Sequence, residues 1–138
     1  MEDAVKKRVA ILYTGGTIGM KPTPDGYAPE AGRLSRLMAA MPDFSAPEMP
    51  VYVIREYEPL LDSSNMGPRH WQIIARDIAD LYAGFDGFIV IHGTDTMAYT
   101  ASALPFMLEG LDKPVILTGS QIPLCEIRSN GRDRKRHV

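Results

Sequence analysis

Apolar positions along this chain follow two rhythms. Four runs are nearly unbroken: Val9-Ala10-Ile11-Leu12, Val51-Tyr52-Val53-Ile54, Phe88-Ile89-Val90-Ile91 and Val115-Ile116-Leu117. A continuous run of that length fits a strand covered on both faces, as in a parallel sheet, so strands are predicted over residues 8–13, 51–54, 88–91 and 115–118. The second rhythm steps by three and four. Leu34, Leu37, Met38 and Met41 predict a short helix over residues 31–41 that stops at Pro42. Trp71, Ile74, Ala75, Ile78, Leu81 and Tyr82 mark the clearest helical face, opened by Pro68, whose missing N–H costs nothing in a first turn. Met97, Ala101, Leu104, Met107 and Leu108 mark a third helix, capped by Thr94 or Asp95 and bent at Pro105.

Between these elements the chain is polar and rich in turn formers. Lys21-Pro22-Thr23-Pro24-Asp25-Gly26-Tyr27 has two prolines and an Asp-Gly pair, which predict a loop with a tight turn at Asp25-Gly26 and the makings of a flap. Pro42, Pro47 and Pro50 predict irregular backbone over residues 43–50. Strands alternating with helices give an α/β fold, a doubly wound, Rossmann-like parallel sheet in one domain. Each strand leads into a polar turn: Thr14-Gly15-Gly16-Thr17, Asp62-Ser63-Ser64-Asn65, Gly93-Thr94-Asp95-Thr96 and Gly119-Ser120-Gln121. Ligands of open α/β sheets bind at the carboxyl ends of the strands, so Thr17 and Thr94 are expected to face one crevice.

Charge and composition narrow the possible partners. The 138 residues, 45% of them apolar, suffice for one core. Net charge is -2, but residues 1–125 hold ten Lys/Arg against fifteen Asp/Glu, and residues 126–138 hold five against two. An acidic body of -5 argues against nucleic acid as a partner, since phosphate binding relies on Lys and Arg. The basic ending reads as a solvated terminus. A single cysteine, Cys125, rules out an internal disulfide and fits a reducing compartment. Neither a secretory leader nor a stretch of roughly 18 apolar residues is visible, so the expected setting is cytoplasmic, away from membranes.

The turns also carry candidate chemistry. A threonine hydroxyl attacks a carbonyl carbon only with a base or polarising partner nearby. Tyr27 could serve Thr17, Asp95 could serve Thr94, and backbone N–H groups at Gly16 and Gly93 could hold the developing oxyanion. The same residues also suit an ordinary strand-to-helix turn, with Asp95 as a cap. Gly15-Gly16-Thr17-Ile18-Gly19 matches neither a dinucleotide fingerprint nor a phosphate loop. His70, His92 and Cys125 lack the spacing of a metal site, so no metal or cofactor is expected.

Tyr13-Thr14-Gly15-Gly16-Thr17-Ile18-Gly19 and His92-Gly93-Thr94-Asp95-Thr96-Met97 together resemble the two signatures of the bacterial-type L-asparaginase family. Met41-Pro42, Pro47-Glu48-Met49-Pro50, Asp62-Ser63-Ser64, residues 98–104 and Gly119-Ser120-Gln121-Ile122-Pro123-Leu124 resemble its cytoplasmic type I branch. The resemblance implies cofactor-free hydrolysis of L-asparagine to aspartate and ammonia through an acyl-threonine. It casts Thr17 as nucleophile, Tyr27 as its flap partner, and Thr94 and Asp95 as the second threonine and the holder of the substrate's amino group. It assigns the α-carboxylate to Ser63, with Ser64, Asn65, Gly16 and Gly93 lining the same pocket. Family members are longer and homo-oligomeric, with a second domain and a catalytic lysine downstream of the region covered here. The chain is therefore expected to be a truncated form: an N-terminal domain over residues 1–130, a divergent basic tail over 131–138, and impaired turnover. The alternatives are an amidotransferase-type glutaminase subunit and a non-catalytic small-molecule-binding module.

Overall fold

Strand β1 (Arg8–Tyr13) feeds two cores at once because successive side chains of a strand point to opposite faces. The computed structural model describes residues 5–129, so the basic tail over 131–138 lies outside the described residues. Ala10 and Leu12 pack with Ile74, Ile78, Phe88, Val90 and Leu104 on one face of the sheet. Ile11 and Tyr13 pack with Leu34, Met38 and Ile91 on the other. Leu12, Tyr13, Leu34, Ile74 and Ile78 are completely buried, each worth ~1.5–3 kcal/mol for the aliphatic side chains.

Around β1 stand β4 (Val51–Glu56) on one side and β5 (Gly87–Ile91), then β6 (Val115–Thr118), on the other. All pairings in this sheet are parallel. The helices α1 (Arg33–Ala39), α2 (Pro68–Leu81), α3 (Met97–Met107) and α4 (Leu124–Ser129) complete the order. α1 covers one face while α2 and α3 cover the other, which is the expected doubly wound arrangement. The chain leaves β1 for β4 and leaves β5 for β6 in the opposite direction. The strand order therefore reverses between β1 and β5, where such sheets bind ligands. Among the described residues no helix is long and apolar enough to cross a membrane.

Several local expectations are corrected. The stretch expected to be a loop forms an antiparallel hairpin of β2 (Lys21–Thr23) and β3 (Gly26–Ala28), with Pro24 and Asp25 at its turn. Gly26 begins the returning strand, at φ 118, and the Thr23 hydroxyl donates to its carbonyl at 2.9 Å. A two-stranded ribbon tolerates proline because an outward N–H has no ladder partner to lose. Residues Pro42–Ser45 wind into a 3-10 turn within the stretch expected to be irregular. Neither Thr94 nor Asp95 caps α3. The N-cap is Thr96, which makes no side-chain cap bond, because its hydroxyl donates to the Ser63 carbonyl at 2.6 Å instead. α2 does begin at Pro68, and His70 Nδ1 accepts the Gly67 N–H at 3.0 Å, satisfying one orphan donor of the first turn.

Candidate active site

Tyr13 and Ile91 occupy the same rung of β1 and β5, so the turns leaving the two strands start side by side. Thr14 fastens them: its N–H and its hydroxyl both reach the Ile91 carbonyl, at 3.0 and 2.9 Å. The Thr14 carbonyl accepts the Leu61 N–H at 2.7 Å, which brings in the turn after β4. Three segments from distant parts of the chain thereby meet at the strand-order reversal.

Glycine lets them meet closely. A β-carbon on Gly15 would collide with the Leu61 carbonyl, one on Gly16 would stand 2.9 Å from the Gly93 Cα, and one on Gly93 would stand 2.5 Å from the Ser63 Cβ. Gly15 and Gly16 also hold φ of 147° and 99°, which L side chains resist. The completely buried Tyr13 ring packs against Gly19, and its hydroxyl donates to the Gly16 carbonyl at 3.4 Å.

The result is a crevice of about 170 Å3 bordered by Gly16, Thr17 and Met20 from the first turn, Leu61, Asp62 and Ser63 from the second, and Gly93, Thr94 and Asp95 from the third. Thr17, Thr94, Asp95, Ser63, Gly16 and Gly93 thus share one space, as the sequence predicts. Two larger hollows, of about 550 and 510 Å3, flank residues 56–60. Neither is bordered by Thr17 or Thr94, so size alone does not select the site.

Other candidates fall elsewhere. Ser64 and Asn65 are exposed and do not border the crevice, although they share the 3-10 turn Ser63–Asn65 with the buried Ser63. With three residues per turn, only one of three consecutive side chains faces a given direction. Tyr27 is 47% exposed on the hairpin, and its hydroxyl donates to the Glu126 carboxylate at 2.9 Å. That bond raises its pKa above the ordinary phenol value. No hydrogen bond joins Tyr27 to Thr17 among the described residues.

Two neighbours of these residues were not singled out from the sequence. Asp62 borders the crevice and accepts the Ser64 N–H at 2.9 Å, a backbone bond that holds its carboxyl below the usual carboxylate range. Gln121, after β6, donates from Nε2 to the Thr94 hydroxyl at 3.3 Å. Their signal was their position in polar turns following strands. With Asp62 and Asp95 on its rim, the crevice favours a cationic group such as an ammonium.

Fold and crevice together define an α/β protein with paired threonines at the strand-order reversal of a parallel sheet. Residues 8–134 match the asparaginase N-terminal family model, and the chain belongs to the asparaginase family. It is 61% identical to L-asparaginase 1 of Escherichia coli (strain K12) over 127 residues, covering 92% of this chain and 38% of that protein. The crystal structure of L-asparaginase I from Vibrio cholerae superposes with a TM-score of 0.85 at 56% identity, over 93% of this chain and 38% of that one. A structure described as a probable cytoplasmic L-asparaginase from Campylobacter jejuni matches with a TM-score of 0.69 at 37% identity, over 86% of this chain and 36% of that one. The chain thus spans well under half the length of these relatives.

Proposed function

We propose that this chain carries the nucleophile-bearing part of an asparagine amidohydrolase, and the shared crevice of Thr17 and Thr94 is the observation that supports it most. Asp95 holds the substrate's α-ammonium and Ser63 its α-carboxylate. The side-chain amide then lies between the two threonines. The Thr17 Oγ1 forms a bond to the amide carbon while N–H groups of the glycine turns stabilise the oxyanion. As the hydroxyl proton passes to the departing nitrogen, the C–N bond breaks and ammonia leaves. Water adds to the resulting ester, Thr17 recovers its proton, and aspartate is released. Tyr27 joins Thr17 once the hairpin releases Glu126. The Campylobacter relative's name supports a cytoplasmic setting.

Residues 1–130 act in this scheme as an N-terminal domain. The chain should bind L-aspartate and L-asparagine in the crevice, and its ammonia release should depend on Thr17. Calorimetry with both amino acids, alongside an ammonia assay, tests this. Binding that Thr17→Ala leaves nearly intact, with ammonia release abolished, is the expected pattern. Absence of binding, or ammonia release unaltered by Thr17→Ala, refutes the scheme.

A further inference from the structure

His92 is completely buried between β5 and α3, and both ring nitrogens are engaged. Nδ1 stands 2.6 Å from the carbonyl oxygen of Gly93, and Nε2 stands 2.8 Å from the Thr100 hydroxyl of α3. A carbonyl oxygen only accepts, so Nδ1 must carry a proton. In a neutral ring Nε2 is then bare and accepts from the hydroxyl. Thr100 has one proton to give, and Nε2 at 2.8 Å takes it in preference to the Met66 sulfur at 3.6 Å. Burial lowers the pKa of the imidazole, which favours this neutral form.

The arrangement bears on the crevice through the Gly93–Thr94 peptide. In a planar trans peptide the C=O and the N–H point in opposite directions, and among the described residues the only cis bond joins Glu58 and Pro59. With the Gly93 carbonyl turned to the imidazole, the Thr94 N–H points away from that ring, and Gly93 and Thr94 both border the crevice. Among the described residues no acceptor takes that N–H.

We propose that His92, fixed in its Nδ1-protonated tautomer by the Gly93 carbonyl and held on its Nε2 side by Thr100, is a positioning residue that aims the Thr94 N–H into the crevice as a donor for the substrate's carbonyl oxygen. The assignment rests on the amidohydrolase scheme for its purpose but not for its geometry. Histidine therefore has a task that leucine could not perform at this position: it joins a backbone carbonyl on one side to a helix hydroxyl on the other.

Nitrogen NMR of the intact chain labelled with 15N-histidine, without ligand, reads the ring directly. The expected result is a protonated Nδ1 and a bare Nε2 for His92. Thr100→Val removes the donor to Nε2 while the Gly93 carbonyl keeps Nδ1 protonated, so it should shift the His92 Nε2 and Thr94 amide resonances, and Thr100→Ser should restore both signals. Titration with L-aspartate should show binding weakened about tenfold in Thr100→Val and recovered in Thr100→Ser, the scale of one hydrogen bond. A wild-type ring protonated on Nε2 overturns the proposal. So does a Thr100→Val chain, verified folded by its amide spectrum, whose His92 and Thr94 signals are unmoved. If the wild type binds no aspartate while the ring signals behave as expected, the amidohydrolase scheme fails and the positioning geometry stands.

Discussion

Gly16 and Gly93, 77 residues apart, touch backbone to backbone, leaving no room on Gly16 for a side chain within 2.9 Å of the Gly93 Cα. This contact joins the two threonine turns into one wall of the crevice. A change at either glycine should therefore be felt at both.

Gly16→Ala combines a collision with strain at φ 99, whereas Gly26→Ala meets φ 118 in open space. The strain alone is worth ~1–3 kcal/mol. Urea unfolding should show Gly16→Ala destabilised by more than Gly26→Ala. Equal costs would mean that the contact between the turns is looser than described.

Gly93→Ala should be rescued from across the crevice. Its added β-carbon strikes the Ser63 side chain, while the nearest Ser63 backbone atom lies 3.6 Å away. Substituting Ser63→Gly in the same chain removes the obstacle, so the double variant should regain ~1 kcal/mol or more relative to additivity, as coupled neighbours do. Purely additive melting shifts would contradict a direct clash.

The Tyr57 hydroxyl donates to Asp77 at 2.6 Å, and Arg55 pairs with the same carboxylate at 3.1 Å. Asp77 is 7% exposed but the Arg55 side chain is half exposed. Tyr57→Phe should cost ~1.5–3 kcal/mol, as expected for a bond to a buried charge, and Arg55→Ala under ~1 kcal/mol. Denaturant midpoints that reverse this order would show that the ion pair, rather than the phenol, holds Asp77.

Stability should fall at both ends of the pH scale. Burial lowers the His92 pKa, so the unfolded chain takes up a proton near pH ~6.5 that the native chain refuses. Its contribution is complete above that pH and is lost as pH falls through it. Tyr13 works in the opposite direction: burial first, then the Glu56 charge, pushes its pKa up to about 12. The unfolded phenol ionises near ~10, so stability present below that pH is lost as pH rises toward about 12. Burial and Asp77 raise Tyr57 as well. Unfolding midpoints across the range should trace both limbs, and Tyr13→Phe should shorten the alkaline one.

The legible parts of the fold were those governed by side-chain periodicity. The continuous runs ending at Tyr13 and Ile91 formed buried parallel strands, the run ending at Thr118 formed a parallel edge strand with Ile116 exposed, and the Trp71-to-Tyr82 stripe formed α2 where Pro68 opens it. The hairpin over residues 21–28 was not legible, because proline and Asp-Gly mark a turn without stating whether its flanks pair. The hydrogen-bond and packing partners of Thr96, Ser63 and Tyr27 are not legible for one reason. Each is short or exposed, and its direction is set by a partner far along the chain: Thr96 by Ser63, Ser63 by Gly93, and Tyr27 by Glu126.

The sequence by itself determined the alternation of strands and helices, the polar turns at the strand ends and the family these turns resemble, since periodicity and turn chemistry are local properties of neighbouring residues. Only the tertiary structure decided that Asp62 borders the crevice and Gln121 reaches Thr94, that Ser64 and Asn65 do not border it, and that His92 faces Thr100. Those outcomes depend on which strands become neighbours and how closely their turns approach. Distance in space, unlike order along the chain, is fixed only when the sheet assembles.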